Sequence, residues 1–186
     1  MSMEHADTAY VDKIHTFPKP GTSIARILYD DGFKRTFGGK LKSYNPIIVF
    51  FYRLGLLPLF GASRSWMILT TRGCKSGKTR RTPIGYFPVG GVVHIFSAWG
   101  RSSGWYRNLI ANPGDVQIQI GLRNRKVRPE VLQDPAEIWQ TLQQFMSESP
   151  KAATYLFGWD PLTDRMDAAD FSEVIQKVVF VRCINL

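Results

Sequence analysis

Residues 66–99 read WMILTTRGCKSGKTRRTPIGYFPVGGVVHIFSAW, and this stretch carries the pattern that decides the fold. Its three apolar runs, at 66–71, 82–89 and 92–99, are short and rich in β-branched and aromatic residues, which is typical of strands. A glycine-containing loop separates the first two runs, and Gly90-Gly91 separates the second from the third, as in tight hairpins. Pro83 falls near the start of its run, where a strand tolerates proline. The centre of the chain is therefore predicted to be an antiparallel meander.

The sequence on both sides of this meander adds further strands and surrounds them with helices. Strict alternation of apolar and polar residues predicts strands, and apolar residues that recur every three or four positions predict helices. This arrangement favours an α+β, mainly β fold built as a small antiparallel barrel, rather than a doubly wound parallel sheet. The expected elements are a helix from Thr22 or Ser23 to about Asp30, an apolar helix over 46–61, a helix over 103–111 capped by Ser102 or Ser103, a hairpin over 115–132, a helix over 135–146 capped by Asp134, and a closing strand over 177–184.

The chain has 186 residues, the length of one domain, which we divide into three parts. Residues 1–20 are expected to be a flexible leader, residues 21–65 a helical and apolar segment, and residues 66–186 the barrel. No stretch of 18 uncharged apolar residues occurs, so no membrane-spanning helix is expected. The acidic N-terminus argues against a secretory signal, which predicts a cytoplasmic protein. Residues 34–61 are first basic and then apolar, so they are either a core helix or a contact with the inner face of the membrane.

Positive charge is concentrated in the middle third of the sequence. The net charge is +9. Residues 72–128 contain eleven basic side chains and a single acidic one, whereas residues 129–186 contain four basic and nine acidic ones. An anionic partner is therefore expected at the middle third, and it could be a nucleic acid, a lipid surface or a small polyanion.

The loop at 73–79, GCKSGKT, resembles a nucleotide-binding P-loop only superficially. A P-loop needs four residues before its Gly-Lys-Thr and a helix directly after it, whereas here three residues intervene and a strand follows. The loop composition still indicates an anion site, with converging backbone amides at Gly73 and Gly77 and charge-assisted donors from Lys75 and Arg80. The alternative is a solvated hairpin whose charges serve solubility.

Two linked motifs resemble the deazaflavin-dependent nitroreductase family. They are Leu69-x-Thr71-x-Gly73-x-Lys75-Ser76-Gly77-x-x-Arg80-x-x-Pro83 and Trp105-Tyr106-x-Asn108-Leu109-x-Ala111-Asn112-Pro113, within a similar region from about Leu69 to Leu132. The resemblance implies a split antiparallel β-barrel like that of flavin reductases and pyridoxamine-phosphate oxidases. It implies coenzyme F420, which bears a phosphate and an oligoglutamate tail, in preference to FMN. Hydride transfer to a quinone-like or nitroaromatic acceptor would be the reaction, and a homodimer a candidate assembly.

The same resemblance implies roles for particular residues. Lys75, Ser76, Gly77 and Arg80 would bind the phosphate and tail, and the backbone of Thr82, Pro83 and Ile84 would line the ring. Trp105 and Asn108 would close the site from the helix. Ala98, Trp99 and Arg101 occupy the region where the family has a Ser-Lys pair, and Tyr155 is the candidate proton donor. Cys74 stands where the family commonly has arginine.

Two other functions remain open from the sequence. The barrel could be a non-catalytic binder of a fatty acid or of another flavin, which the apolar segment at 46–61 would suit. Residues 72–128 could bind RNA or DNA, although their aromatic residues fall on an apolar helix face and no nucleic-acid motif is present, so no nucleic acid is expected. Cys74 and Cys183 are read as free thiols, and no metal site is expected.

Overall fold

The computed structural model describes residues 14–59, 61 and 65–186, with the side chains at 37–39 and 41–43 outside that description. The strands and helices follow the predicted order in the middle of the chain. The strands are β1 His15–Thr16, β2 Trp66–Arg72, β3 Thr79–Gly85, β4 Phe87–Val89, β5 Val92–Ser97, β6 Gln117–Ile120, β7 Arg123–Val131, β8 Ala169–Asp170 and β9 Val179–Asn185. The helices are α1 Ser23–Tyr29, α2 Asp31–Arg53, α3 Leu56–Leu59, α4 Gly104–Ala111, α5 Pro135–Glu148, α6 Pro150–Phe157 and α7 Ser172–Lys177.

Seven of the strands form one curled antiparallel sheet in the order β3-β2-β6-β7-β9-β5-β4. Strand β3 at one edge also contacts β5 near the other edge, so the sheet bends round on itself. Leu69 pairs with Ile118 across β2 and β6, and both side chains are fully buried inside the curl. The predicted split antiparallel barrel with flanking helices is therefore confirmed.

A second apolar core lies between the sheet and the helices α5, α6 and α7. Phe145 of α5 lies 4.6 Å from Phe87 of β4, measured between ring centroids, and Phe157 of α6 packs edge-on against Phe145. Asp134 caps α5 by accepting from the Ala136 amide, as predicted. Because buried aromatic pairs contribute both area and ring–ring attraction, this core fixes the helical layer against the barrel.

Residues 14–20 correct the prediction of a flexible leader. Phe17 is completely buried and stacks on Phe171 at 4.6 Å, while its amide donates to the Asp170 carbonyl. The Lys19 amide donates to the Phe157 carbonyl. The sequence did not indicate this because one aromatic side chain before a proline shows no periodicity, yet one buried aromatic ring contributes several kcal/mol. Residues 1–13 of the predicted leader lie outside the described residues.

Three other boundaries differ from the predicted ones. Helix α2 begins at Asp31 and runs through Pro46, whereas a helix was expected to begin at that proline. The apolar run 82–89 divides at Tyr86 into β3, which pairs with β2, and β4, which pairs with β5. The stretch 150–173, for which no helix or strand was predicted, contains α6 and begins α7. Residues 60 and 62–64 of the predicted apolar segment lie outside the described residues.

The side chain of Asp164 anchors the N-terminal strand to the loop after α6. It is 1% exposed and accepts hydrogen bonds from Lys19 Nζ at 2.7 Å and His15 Nδ1 at 2.9 Å, and from the Asp160 amide at 2.7 Å. Burial by itself raises the pKa of this carboxyl group, but the hydrogen bonds from Lys19, Asp160 and His15 outweigh that effect and hold the pKa below its usual range.

We expect this anchor to make stability fall in acid. A carboxyl group whose pKa is depressed on folding stabilises the protein above its unfolded pKa, and this contribution is lost as pH falls through the folded pKa. The free energy of unfolding, measured by urea denaturation, should therefore differ between the wild type and Asp164→Asn by roughly 1 kcal/mol at pH 7 and by less at pH 3. An equal difference at both pH values would contradict the assignment.

Candidate functional site

A large open cleft lies between α2, the β2–β3 hairpin and α4, and its volume is about 1540 Å³. The residues that line it come from segments far apart in the sequence, which the curled sheet brings together. They are Lys34, Arg35, Asn45, Pro46, Val49, Phe50, Arg53, Leu54, Cys74, Lys75, Thr79, Arg80, Arg81, Thr82, Trp99, Ser102, Ser103, Gly104, Trp105, Arg107 and Asn108.

The glycine loop forms one end of the cleft, and its conformation depends on both glycines. The Gly73 amide donates to the Lys78 carbonyl at 2.9 Å, and the Gly77 amide donates to the Gly73 carbonyl at 2.8 Å. A Cβ at Gly73 would lie 2.7 Å from Ser76 Oγ, and Gly77 has a φ of +62°. The loop is therefore closed by its own hydrogen bonds, and its positive φ at Gly77 favours glycine at that position.

Helix α4 holds the loop through asparagine side chains. Asn108 Oδ1 accepts from the Cys74 amide at 3.0 Å, and Asn112 Nδ2 donates to the Arg72 carbonyl at 3.3 Å. The Ser103 hydroxyl oxygen caps the helix by accepting from the Tyr106 amide, which confirms one of the two predicted caps. The asparagines of the Asn108-to-Pro113 motif thus join α4 to the hairpin.

These contacts correct the interpretation of the loop as a cradle of free amides. The amides of Gly73, Cys74 and Gly77 already donate within the protein. The Lys78 amide lies 3.4 Å from Ser76 Oγ. Donors for an anion in the cleft must therefore come mainly from side chains, and those of Lys75 and Arg80 are exposed and line the cleft.

The charge of the cleft lining is strongly positive. Seven of the lining residues are lysine or arginine, and none of the described lining residues is aspartate or glutamate. Lys34 pairs with Asp31 at 3.1 Å. The other six cations form no ion pair with any carboxylate in the part of the chain that the structure describes; they are Arg35, Arg53, Lys75, Arg80, Arg81 and Arg107. A cleft lined by one sign of charge attracts ligands of the opposite sign, so the arrangement favours a bound polyanion.

The cleft also has apolar and aromatic walls. Trp99 and Trp105 line it beside α4, and Trp105 packs edge-on against Tyr106. Phe50 lines it from α2 and is 59% exposed. A flat ring system with a charged substituent can use both kinds of wall, since indole faces stack on rings while arginines hold anions.

The structure places only some of the sequence-predicted residues in the cleft lining. Ser76, Gly77 and Arg101 lie in segments next to it without lining it, and Pro83, Ile84 and Ala98 are buried. Tyr155 lies on α6, is 72% exposed, and does not line the cleft. Its role as a proton donor stays a prediction. The predicted residues that do line the cleft are Lys75, Arg80, Thr82, Trp99, Trp105 and Asn108.

The sequence did not predict the contribution of α2. Arg35, Phe50 and Arg53 line the cleft, although each lies outside the two motifs. A signal was available: the lining positions of α2 recur at spacings of three, four and eleven residues, which keeps them on one helix face.

Other chemistry-bearing groups lie outside the cleft. Burial raises the pKa of the Cys183 thiol to about 12, which leaves it unreactive. The buried His94 is held by the Val92 carbonyl, and burial lowers its pKa. Among the described residues, no group of three His, Cys, Asp or Glu side chains is placed to hold a metal ion. Within the same residues, the helices are too short or too polar to cross a bilayer.

Comparison with known proteins locates relatives over the region that contains the hairpin, the loop and α4. The family model described as F420H(2)-dependent quinone reductase matches residues 59–162. An F420H(2)-dependent quinone reductase from Mycobacterium tuberculosis is 35% identical over 85 residues, which is 42% of this chain and 56% of the relative. The chain thus matches little more than half the length of this curated relative.

Solved structures align at modest similarity. One described as an F420-H2 dependent reductase is 25% identical, with a TM-score of 0.42, and the alignment covers 64% of this chain and 94% of that one. A FAD-binding protein from Mesorhizobium loti is 20% identical, with a TM-score of 0.42, over 66% of this chain and 81% of that one. The fold assignment rests on the strand pairing above. The family model covers more than half of the chain, including the loop and α4. The chain belongs to the F420H(2)-dependent quinone reductase family.

Proposed function

We propose that this protein binds reduced coenzyme F420 in the cleft and acts as an oxidoreductase that transfers a hydride to a quinone-like acceptor. The observation that carries the proposal is the lining itself, which combines seven cations, no described carboxylate and two tryptophans. A coenzyme with a tricyclic ring, a phosphate and an oligoglutamate tail fits such a lining, since the ring can stack and the anions can pair. Relatives named as quinone reductases support the acceptor class.

The charged residues of the cleft would bind the phosphate of the coenzyme, and its aromatic residues would contact the ring. Arg80 and Lys75 would hold the phosphate, because a guanidinium makes two parallel bonds to a phosphate and an ammonium adds a point charge. Trp99 and Trp105 would flank the ring, and Asn108 would fix the loop against α4. When bound, the coenzyme supplies the hydride, so the protein contributes position and electrostatics. A quinone also needs a proton, which water can deliver through the open mouth of the cleft.

An apolar surface beside the cleft supports a lipid-soluble acceptor. Leu54, the residue directly after α2, is 59% exposed, and Leu59 on α3 is 79% exposed. Leu122 lies next to them, since a Cβ on Gly55 would be 3.1 Å from its side chain. The contact of residues 34–61 with the inner face of a membrane stays a prediction, which flotation with anionic lipid vesicles tests. A nitroaromatic acceptor and a homodimer likewise stay predictions.

We expect the coenzyme to quench the tryptophan fluorescence of the protein saturably, because Trp99 and Trp105 line the cleft. FMN has a similar ring and a single phosphate but no acidic tail, so it should bind much more weakly. The measurement is a fluorescence titration of the wild type with each compound at low ionic strength. Saturable quenching by FMN alone would instead support the non-catalytic flavin binder.

A further inference from the structure

Helix α2 presents two exposed arginines to the cleft. Arg35 and Arg53 both line the cleft and are exposed. They are 18 residues apart, which is five turns of an α-helix, so they lie on the same face and about 27 Å apart if the helix is straight. Pro46, Val49 and Phe50 occupy that face between them. The α2 wall therefore has a cation near each end and an apolar middle.

Arg35 carries a positive charge that a ligand in the cleft can reach. It lies in the fifth position of α2, one helical turn after Asp31. Its neighbour Lys34 is compensated by Asp31 at 3.1 Å. Arg35 forms no ion pair with a carboxylate among the described residues. Its guanidinium group is therefore available to pair with an anion in the cleft.

The cleft is long enough to separate Arg53, at the C-terminal end of α2, from the glycine loop. The Tyr52 hydroxyl donates to the Trp66 carbonyl, so the C-terminal end of α2 lies at the open end of the β2–β3 hairpin. The glycine loop is at the other end, seven paired residues away, which is about 20 Å. A single phosphate bound at the glycine loop would not reach Arg53. A ligand whose charges are distributed over several carboxylates can reach both the loop and Arg53.

We infer that Arg35 and Arg53, which are spaced along α2, form an extended anion subsite, the α2 subsite, which takes the glutamate carboxylates of the coenzyme tail. This rests on the proposed function and deepens it, because it assigns phosphate binding to the loop and tail recognition to α2. Helix α2 spans Asp31–Arg53, and the family model begins at residue 59, so this subsite belongs to a part of the chain that the family match does not include. The tail-length preference of this protein is then set by α2.

The test is a binding experiment with a matched control. The double variant Arg35→Gln/Arg53→Gln is titrated with coenzyme F420 and with a tail-less form that keeps the phosphate but has no glutamate, and quenching of tryptophan fluorescence gives each Kd. Lys40→Gln/Lys151→Gln is the control, since it removes two exposed cations that do not line the cleft. Thermal unfolding checks that the variants fold.

The α2 variant should bind the tailed coenzyme roughly five- to tenfold more weakly than the wild type, the range for two partly exposed charge pairs, with an unchanged Kd for the tail-less compound. The control should change neither Kd by as much as twofold. An unchanged Kd for the tailed coenzyme, or an equal loss for both compounds, would overturn the α2 subsite while leaving the proposed function intact. Failure of the wild type to bind the coenzyme at all would overturn the proposed function itself.

Discussion

Replacing Arg80 with alanine is expected to raise the Kd for coenzyme F420 by about 10- to 100-fold, the range for one charge-assisted bidentate contact. Arg80 lies on the edge strand β3 at the start of the hairpin's second arm, lines the cleft, and has no ion-pair partner among the described carboxylates. Its charge is therefore available to a ligand in the free protein. The measurement is the same fluorescence titration, carried out at two salt concentrations.

Lys78 provides the matched control for Arg80. It is in the same loop, is exposed, and does not line the cleft, so Lys78→Ala removes one positive charge without removing a cleft contact. Its effect on Kd should stay within about twofold at moderate salt, because exposed charges at a distance are screened. Equal losses in both variants would mean that the coenzyme responds to the overall field of the loop and not to Arg80.

A conservative variant separates geometry from charge at the same position. Arg80→Lys keeps the positive charge and loses the planar fork, so it should recover only part of the affinity lost in Arg80→Ala. The wild type should also lose more affinity between low and high salt than Arg80→Ala does, since one charge pair is missing from the variant. Full recovery by lysine would contradict a bidentate contact.

The hairpin and its loop could be predicted from the sequence because each is local. Short apolar runs rich in β-branched and aromatic residues predicted the strands, and Gly73 and Gly77 predicted the tight loop between them, in which Gly77 has a φ of +62°. The caps at Thr22, Ser103 and Asp134 were equally local, since an N-cap side chain bonds to an amide two or three residues ahead. The cleft residues on the β2–β3 hairpin and near α4 were predicted from the same local information.

The α2 wall and the N-terminal anchor could not be predicted because nothing local marks them. The first half of α2 is polar and basic, and Pro46 was taken as a helix start, the position where proline is most common. Arg35 and Arg80 line the same cleft although they are some 45 residues apart in the sequence, so only tertiary packing brings them together. Phe17 likewise depends on Phe171, at the far end of the sequence. Such contacts require the folded sheet.

Asn108 is expected to act on the loop as well as to line the cleft, and two substitutions distinguish these effects. Its Oδ1 accepts from the Cys74 amide at 3.0 Å, and its Nδ2 lies 3.5 Å from the Thr71 hydroxyl. Asn108→Ala leaves the Cys74 amide without its partner, so amide hydrogen exchange at Cys74 should accelerate in the free protein. The Kd for the coenzyme should rise about tenfold, which corresponds to one lost hydrogen bond that orders the loop.

Asn108→Asp keeps an oxygen that can accept from Cys74 but places a negative charge among the cations of the cleft. Exchange at the Cys74 amide should then stay close to that of the wild type, while coenzyme binding weakens at least as much as in Asn108→Ala because like charges repel. Asn124→Ala is the control, since Asn124 bonds to Gln117 on the β6–β7 hairpin and does not line the cleft. Asn108→Ala could instead weaken binding without accelerating exchange at the Cys74 amide. Asn108 would then act only by direct contact with the coenzyme, and its hydrogen bond to the loop would have no part in coenzyme binding.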